Sequence, residues 1–284
     1  MGISVLGLAS LKTSHLNNDL FTCPRLQPSH EKKMDIKVNW EECNFLGGDL
    51  SPLAIGYANG IAMRWNVSEN TSFIVASAEK MMEKVVASYP GNIILIMIQF
   101  PTPFRLKQSE VPHEHSMENV INGKKGGNSQ LPSNIKSGFM VTEQLLQLCH
   151  AALGLQTTKS KNKKGKLLLQ SNCEDVAVEM RNMAISESVG FRSLSVLHPM
   201  PLIQGSNKLS TSDNNTIIQI TKRTQDWIKI GKSNNKNVER AEGDNWSINA
   251  LLPNKGATET EVACILNGTP IHRCLLEVKD KIND

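Results

Sequence analysis

The chain has 284 residues and a mass of 31.3 kDa, enough to bury a sizeable core as one α/β domain with insertions. With 39% hydrophobic and 20% charged residues most of it is expected to fold, which excludes a wholly disordered class. Aromatics at 5% argue against stacking platforms for single-stranded nucleic acid, and a net charge of +4 permits RNA binding without demanding it. No apolar run approaches the ~20 residues of a membrane helix, so no membrane partner is expected.

Residues 1–40 read as a poorly structured leader. Positions 1–34 carry only the acids Asp19 and Glu31 among Ser, Thr, Lys and Arg, a faint likeness to a transit peptide. From residue 41 to 284 strand and helix signals alternate. Cys43–Gly48 is a short apolar run ending in Gly47-Gly48 and followed by Asp49, and Pro52 to Trp65 reads as a helix. Ser72–Ala76 is a strand, followed by a helix over Glu79–Ser88 with Met81, Met82, Val85 and Val86 inward. Asn92–Phe100 is continuously apolar and β-branched, the pattern of a central parallel strand covered on both faces.

An insert follows at about 101–136. The next helix places Val141, Leu145, Leu148, Cys149 and Ala152 on one face; Lys166–Gln170 is a strand, and Cys173–Ala184 a helix with Val176, Ala177, Met180 and Ala184 inward. Two further inserts are expected at 157–166, which holds the lysine run Lys159–Lys166, and at 203–245, with a short strand signal at Ile217–Ile220. Thr269–Leu276 reads as a closing strand. The order predicts an α/β fold: a mostly parallel sheet between helices, joined by right-handed crossovers. The six cysteines are scattered without CxxC pairs or neighbouring histidines, so they read as reduced thiols with no metal bound. That implies an intracellular, reducing compartment: cytoplasm or nucleus, with a plastid also open. His113 and His115 read as loop histidines.

Ligands of a doubly wound sheet sit beyond the carboxyl ends of its strands, and several of those ends carry a resemblance. Asn44-Phe45-Leu46-Gly47-Gly48-Asp49-Leu50, Phe73-Ile74-Val75-Ala76-Ser77-Ala78, Ile98-Gln99-Phe100-Pro101-Thr102-Pro103-Phe104, Leu168-Leu169-Gln170-Ser171-Asn172, Thr258-Glu259-Thr260-Glu261 and Gly268–Leu275 follow one another across about 45–276. In order and spacing these segments resemble the tRNA (guanine-N7) methyltransferases, plant members in particular. The resemblance implies a Rossmann-like fold binding S-adenosyl-L-methionine, with tRNA as substrate and partner. It puts Asp49 on the cofactor ribose, Ser77 and Ala78 beside the adenine, and Thr102 in the catalytic loop at the cofactor. It also puts Asn172, Thr258 and Glu261 at the guanine.

The chain departs from the family pattern in several places. Thr102 and Asn172 stand where the family has aspartates, the basic stretch after the catalytic loop is missing, and no G-x-G-x-G turn precedes Phe45. The usual first strand is therefore expected to be lacking. Guanine N7 has a free in-plane lone pair and needs no general base; the protein must align it with the methyl donor and stabilise the cationic product ring. Thr102 keeps a hydroxyl for that loop but no charge. Each residue also has a structural reading: Asp49 as a helix initiator, Ser77 and Asn172 as N-caps, Glu261 as a solvated charge, the lysine run as a solvated hairpin instead of a phosphate contact. The alternative function is an impaired homologue that binds tRNA or a protein without turnover.

Overall fold

The computed structural model describes residues 2–11, 38–101, 140–154, 165–196, 199–200, 239–247 and 249–279. Thr102, His113, His115, the strand signal at 217–220 and the lysines at 159–164 lie outside them. The described elements are α1 (Ile3–Ala9), β1 (Phe45–Asp49), α2 (Pro52–Arg64), β2 (Thr71–Val75), α3 (Ala78–Ser88), β3 (Leu95–Gln99), α4 (Glu143–Gly154), β4 (Lys166–Ser171), α5 (Glu174–Ile185), β5 (Phe191–Ser193), β6 (Pro199–Met200), β7 (Gly243–Ser247), α6 (Glu259–Asn267) and β8 (His272–Val278). Short 3₁₀ turns at Trp40–Glu42 and Asn254–Gly256 complete the order.

Helix starts follow from local chemistry. Ser51 Oγ accepts from the Ala54 N–H with Pro52 in the first turn, and Ser77 Oγ accepts from the Lys80 N–H. Thr142 Oγ1 accepts from the Leu145 N–H and donates to Glu79, tying α4 to α3. Buried side chains recur at helical spacing: Ile55, Ala58 and Ala62 on α2; Leu145, Leu146, Cys149, Ala152 and Leu153 on α4; Val176, Ala177, Met180 and Ala184 on α5. α6 ends on Gly268 at φ 63°, the left-handed position glycine tolerates best.

The sheet is mixed. β1 pairs in parallel with β2, and β3 in parallel with β4. β8 then runs antiparallel beside β4, β5 and β7. The hydrogen-bonded order is β2-β1 in one piece and β3-β4-β8-β7-β6 in another, so no ladder joins β1 to β3 among the described residues. α3 spans the two pieces, touching β1 while packing against α4. The larger sheet buries Leu167, Leu169, Cys274 and Leu276 against α4 and α5, and Leu168 and Leu275 against Leu251, Leu252 and Val196 on the other face.

The structure corrects three expectations. Part of the supposed leader is core: α1 buries Leu6, Leu8 and Ala9 against Phe45, Ile55 and Phe73, and Ser4 Oγ donates to the Gly256 carbonyl. Part of the insert at 203–245 is core as well, because Ala241 is buried and β7 begins at Gly243; just beyond it Trp246 is buried, with the Arg181 guanidinium 5.6 Å from its ring centroid. Finally, β3, expected to be a central strand covered on both faces, pairs among the described residues with β4 alone, and although both faces pack against apolar clusters every residue of Leu95–Gln99 is only half-buried.

Candidate functional site

The carboxyl ends of the parallel strands form two groups, one on each ladder. At the β1–β2 end, Asp49 lies opposite Val75, and the Asp49 carbonyl accepts from the Ala76 N–H at 3.0 Å. The exposed Asp49 carboxylate accepts from the Ser51 N–H at 2.8 Å, which turns the chain into α2. Ser77 and Ala78 follow at the mouth of α3. The Ser77 hydroxyl is engaged as the N-cap, so this turn offers a ligand its backbone and the exposed Ala78. Thus Asp49, Ser77 and Ala78 are brought to neighbouring strand ends.

At the β4–β8 end the structure builds a polar row that sequence reading did not single out. Gln99, Gln170 and Arg273 lie side by side on three adjacent strands, through the pairs Gln99–Gln170 and Gln170–Arg273. Gln170 and Arg273 are 2% and 3% exposed. Arg273 donates to Glu261 Oε1 at 2.7 Å, with both side chains almost fully enclosed. Glu261 is thereby a buried ion-pair partner and not a solvated loop charge. Thr258 is the N-cap of α6, its Oγ1 accepting from the Glu261 N–H at 3.0 Å. The T-x-x-E segment therefore follows the first half of a capping box, but its glutamate turns away to hold Arg273. The buried side-chain amide nitrogens of Gln99 and Gln170 have no hydrogen-bond partner among the described residues. Enclosed polar groups are normally satisfied, so two free donors in one row suit a ligand's acceptors.

Asn172 sits just beyond β4, yet the N-cap of α5 is Cys173, not Asn172, and the Cys173 N–H is satisfied by Ser171 Oγ at 3.1 Å. Asn172 Oδ1 lies 3.6 Å from the Cys173 sulfur, so it is placed beside the rim without serving as the cap. His272, opposite Ser171 and 8% exposed, is held neutral. Burial lowers its pKa to about 4, Glu174 and Asp175 pull it up, and Arg240 and Arg273 push it further down. The nearby thiols are not nucleophiles at neutral pH. Burial, reinforced by Asp175, pushes Cys173 to about 12, and burial alone raises Cys149 to about 12. No cluster of metal-ligating side chains exists among the described residues.

One further feature marks the rim. Phe100, directly after β3, has φ 49°, although it is bulky and precedes Pro101. Both facts disfavour that backbone region, and the strain costs on the order of 1–3 kcal/mol. Strain of this kind concentrates at functional sites, and here it stands two residues before Thr102.

The signals for the missed residues were in the sequence. A polar residue closes each otherwise apolar strand, in Leu95-Ile96-Met97-Ile98-Gln99 and Leu167-Leu168-Leu169-Gln170. No family model, no curated protein and no solved structure matches the chain.

Proposed function

We propose that this chain is a tRNA (guanine-N7)-methyltransferase-like protein of Rossmann-like fold, transferring a methyl group from S-adenosyl-L-methionine to guanine N7 in tRNA. The observation that carries the reading is the row Gln99–Gln170–Arg273 with Glu261, at the carboxyl ends of parallel strands where a doubly wound sheet binds its ligands. Support comes also from strand order. Two parallel pairs, β1–β2 and β3–β4, with helices between successive strands, are compatible with a doubly wound sheet.

S-adenosyl-L-methionine supplies the electrophilic methyl. The donor set suits its adenosine half, with Asp49 available to a ribose and the Ser77–Ala78 turn to an adenine. Its methionine half finds no glycine-rich turn among the described residues. The guanine side is better provided. The Gln99 and Gln170 amides are available to donate to a base carbonyl, and the enclosed Glu261–Arg273 pair holds Arg273 in line with them. Thr258 caps the helix that carries Glu261, Asn172 follows β4, and Thr102, a hydroxyl without charge, follows β3 in the sequence. A purine held there needs no proton removed, only alignment and stabilisation of the ring's positive charge.

A second reading, an impaired homologue that binds tRNA or a protein, is favoured by the lack of a glycine-rich turn among the described residues. The two are separated by incubating the protein with the cofactor and unmodified tRNA, then cleaving the RNA at N7-methylguanine. Cleavage above the cofactor-free control supports transfer; tRNA binding without cleavage supports the second reading.

A further inference from the structure

A row of in-register polar residues closes one end of an apolar core. Leu95 and Met97 of β3, Leu168 of β4 and Leu275 of β8 turn to the face that packs against Val196, Leu251 and Leu252. Residues two apart on a strand share a face, so Gln99, Gln170 and Arg273 stand on that face too, one step beyond the apolar layer. Ser247 of β7 lies opposite Arg273 and extends the row to a fourth strand.

The protein itself answers two members of the row. Arg273 donates to Glu261 at 2.7 Å and to the Ile271 carbonyl at 3.5 Å, and Ser247 Oγ donates to the Asn249 carbonyl at 2.9 Å. The glutamines differ. Gln170 is 2% exposed, and the enclosed amide nitrogens of both have no hydrogen-bond partner among the described residues. An enclosed donor without a partner destabilises a fold. Methionine at either position would fill similar space, continue the apolar layer and carry no such penalty. Two such donors on neighbouring strands therefore serve the packing poorly, and what they lack is an acceptor. A neutral acceptor suits them better than an anion, because the Arg273 charge is already met by Glu261.

Resting on the reading that this rim takes a guanine base, we propose that Gln99 and Gln170 are the residues that select an oxygen over an amine at position six of the purine. One N–H from each meets the two lone pairs of the O6 carbonyl. Adenine turns an amine to the same two donors and leaves all of them unsatisfied. A site built to hydrogen-bond one group rejects the analogue that lacks it. The purine 2-amino group plays no part in this choice.

The test has two arms. Thermal unfolding of the unliganded full chain compares wild type with Gln99→Met and Gln170→Met. Donors without partners give an unchanged or raised midpoint in both variants. A lowered midpoint would show that the chain itself bonds these amides, and would overturn the proposal. Calorimetry then compares the 5′-monophosphates of guanosine, adenosine and 2-aminopurine riboside, the last of which keeps guanine's amine and lacks O6. Wild type should prefer guanosine monophosphate about tenfold or more. Each methionine variant should lose part of that preference and the double variant nearly all of it. Gln170→Glu, which puts an acceptor in place of a donor, should move the preference towards adenosine monophosphate. Equal binding of the three nucleotides, no binding at millimolar concentration, or an undiminished preference in the double variant would each overturn the proposal. A double variant that methylates guanine N7 in tRNA as fast as wild type would also overturn it, while leaving the methyltransferase reading intact. A glutamine-dependent preference in a protein that forms no N7-methylguanine would support the proposal and sink that reading.

Discussion

Glu261 and Arg273 form the most deeply buried ion pair at the rim, and each group constrains the other. Removing one member of such a pair strands the other charge in a dry environment, so Glu261→Gln, which keeps one acceptor, should cost on the order of 2–3 kcal/mol in chemical denaturation. The double change Glu261→Leu with Arg273→Met should recover most of that, because an apolar pair leaves nothing unsatisfied. If the pair also reads guanine, both variants lose the preference for guanine over inosine in tRNA binding. A double variant that regains stability and keeps the preference would reduce the pair to a structural role. His272 sets a second residue-level expectation. Its folded pKa of about 4 lies below the ordinary 6.5, because burial disfavours the charged form. The unfolded chain therefore takes up the proton first, so this contribution to stability is complete above pH 6.5 and is lost as pH falls towards 4. At about 1.4 kcal/mol per unit the loss is about 3 kcal/mol. Urea unfolding at a series of pH values should show it, and His272→Asn should flatten the curve; an equally steep curve in the variant would place the dependence elsewhere.

Among the elements, the long ones were legible and the short ones were not. α2 to α5 and the strands β1 to β4 are read from periodicity because each buries a whole stripe or run. α1 escaped because seven residues give barely two turns and Gly7 sits in the middle. That glycine has a reason: a Cβ on it would stand 1.6 Å from the Lys255 carbonyl oxygen. β5 and β7 escaped because Phe191–Ser193 has three residues and Gly-Asp-Asn-Trp-Ser has no strand pattern, their pairing with β8 overriding local preference. At the rim, the T-x-x-E segment was legible as a motif, but the arginine that buries its glutamate was recognisable only once β8 lay beside β4. Gly7→Ala decides whether α1 is integral. In a free leader helix alanine would stabilise by about 1 kcal/mol. Against the Lys255 carbonyl it should instead destabilise by about 2 kcal/mol, the cost of overpacking on backbone that cannot yield. Thermal unfolding gives the sign, and a raised midpoint would return α1 to the leader.

At the scale of the molecule, the described residues form a mixed α/β structure in which β1–β2 and β3–β4 are parallel pairs in two separate ladders. Sequence order predicted the alternation of strand and helix, because apolar runs and helical spacing are local signals. It could not predict the row Gln99–Gln170–Arg273, which exists only through strand register. The proposed function puts the adenosine half of the cofactor at the β1 and β2 ends, and no glycine-rich turn among the described residues holds its other half. The most direct measurement is a titration with S-adenosylhomocysteine followed by amide chemical shifts and calorimetry. The account predicts shifts centred on Asp49, Ser77 and Ala78, with a dissociation constant weaker than about 1 μM, or about −8 kcal/mol. Sub-micromolar binding, or saturation that leaves those three amides unmoved, would contradict it.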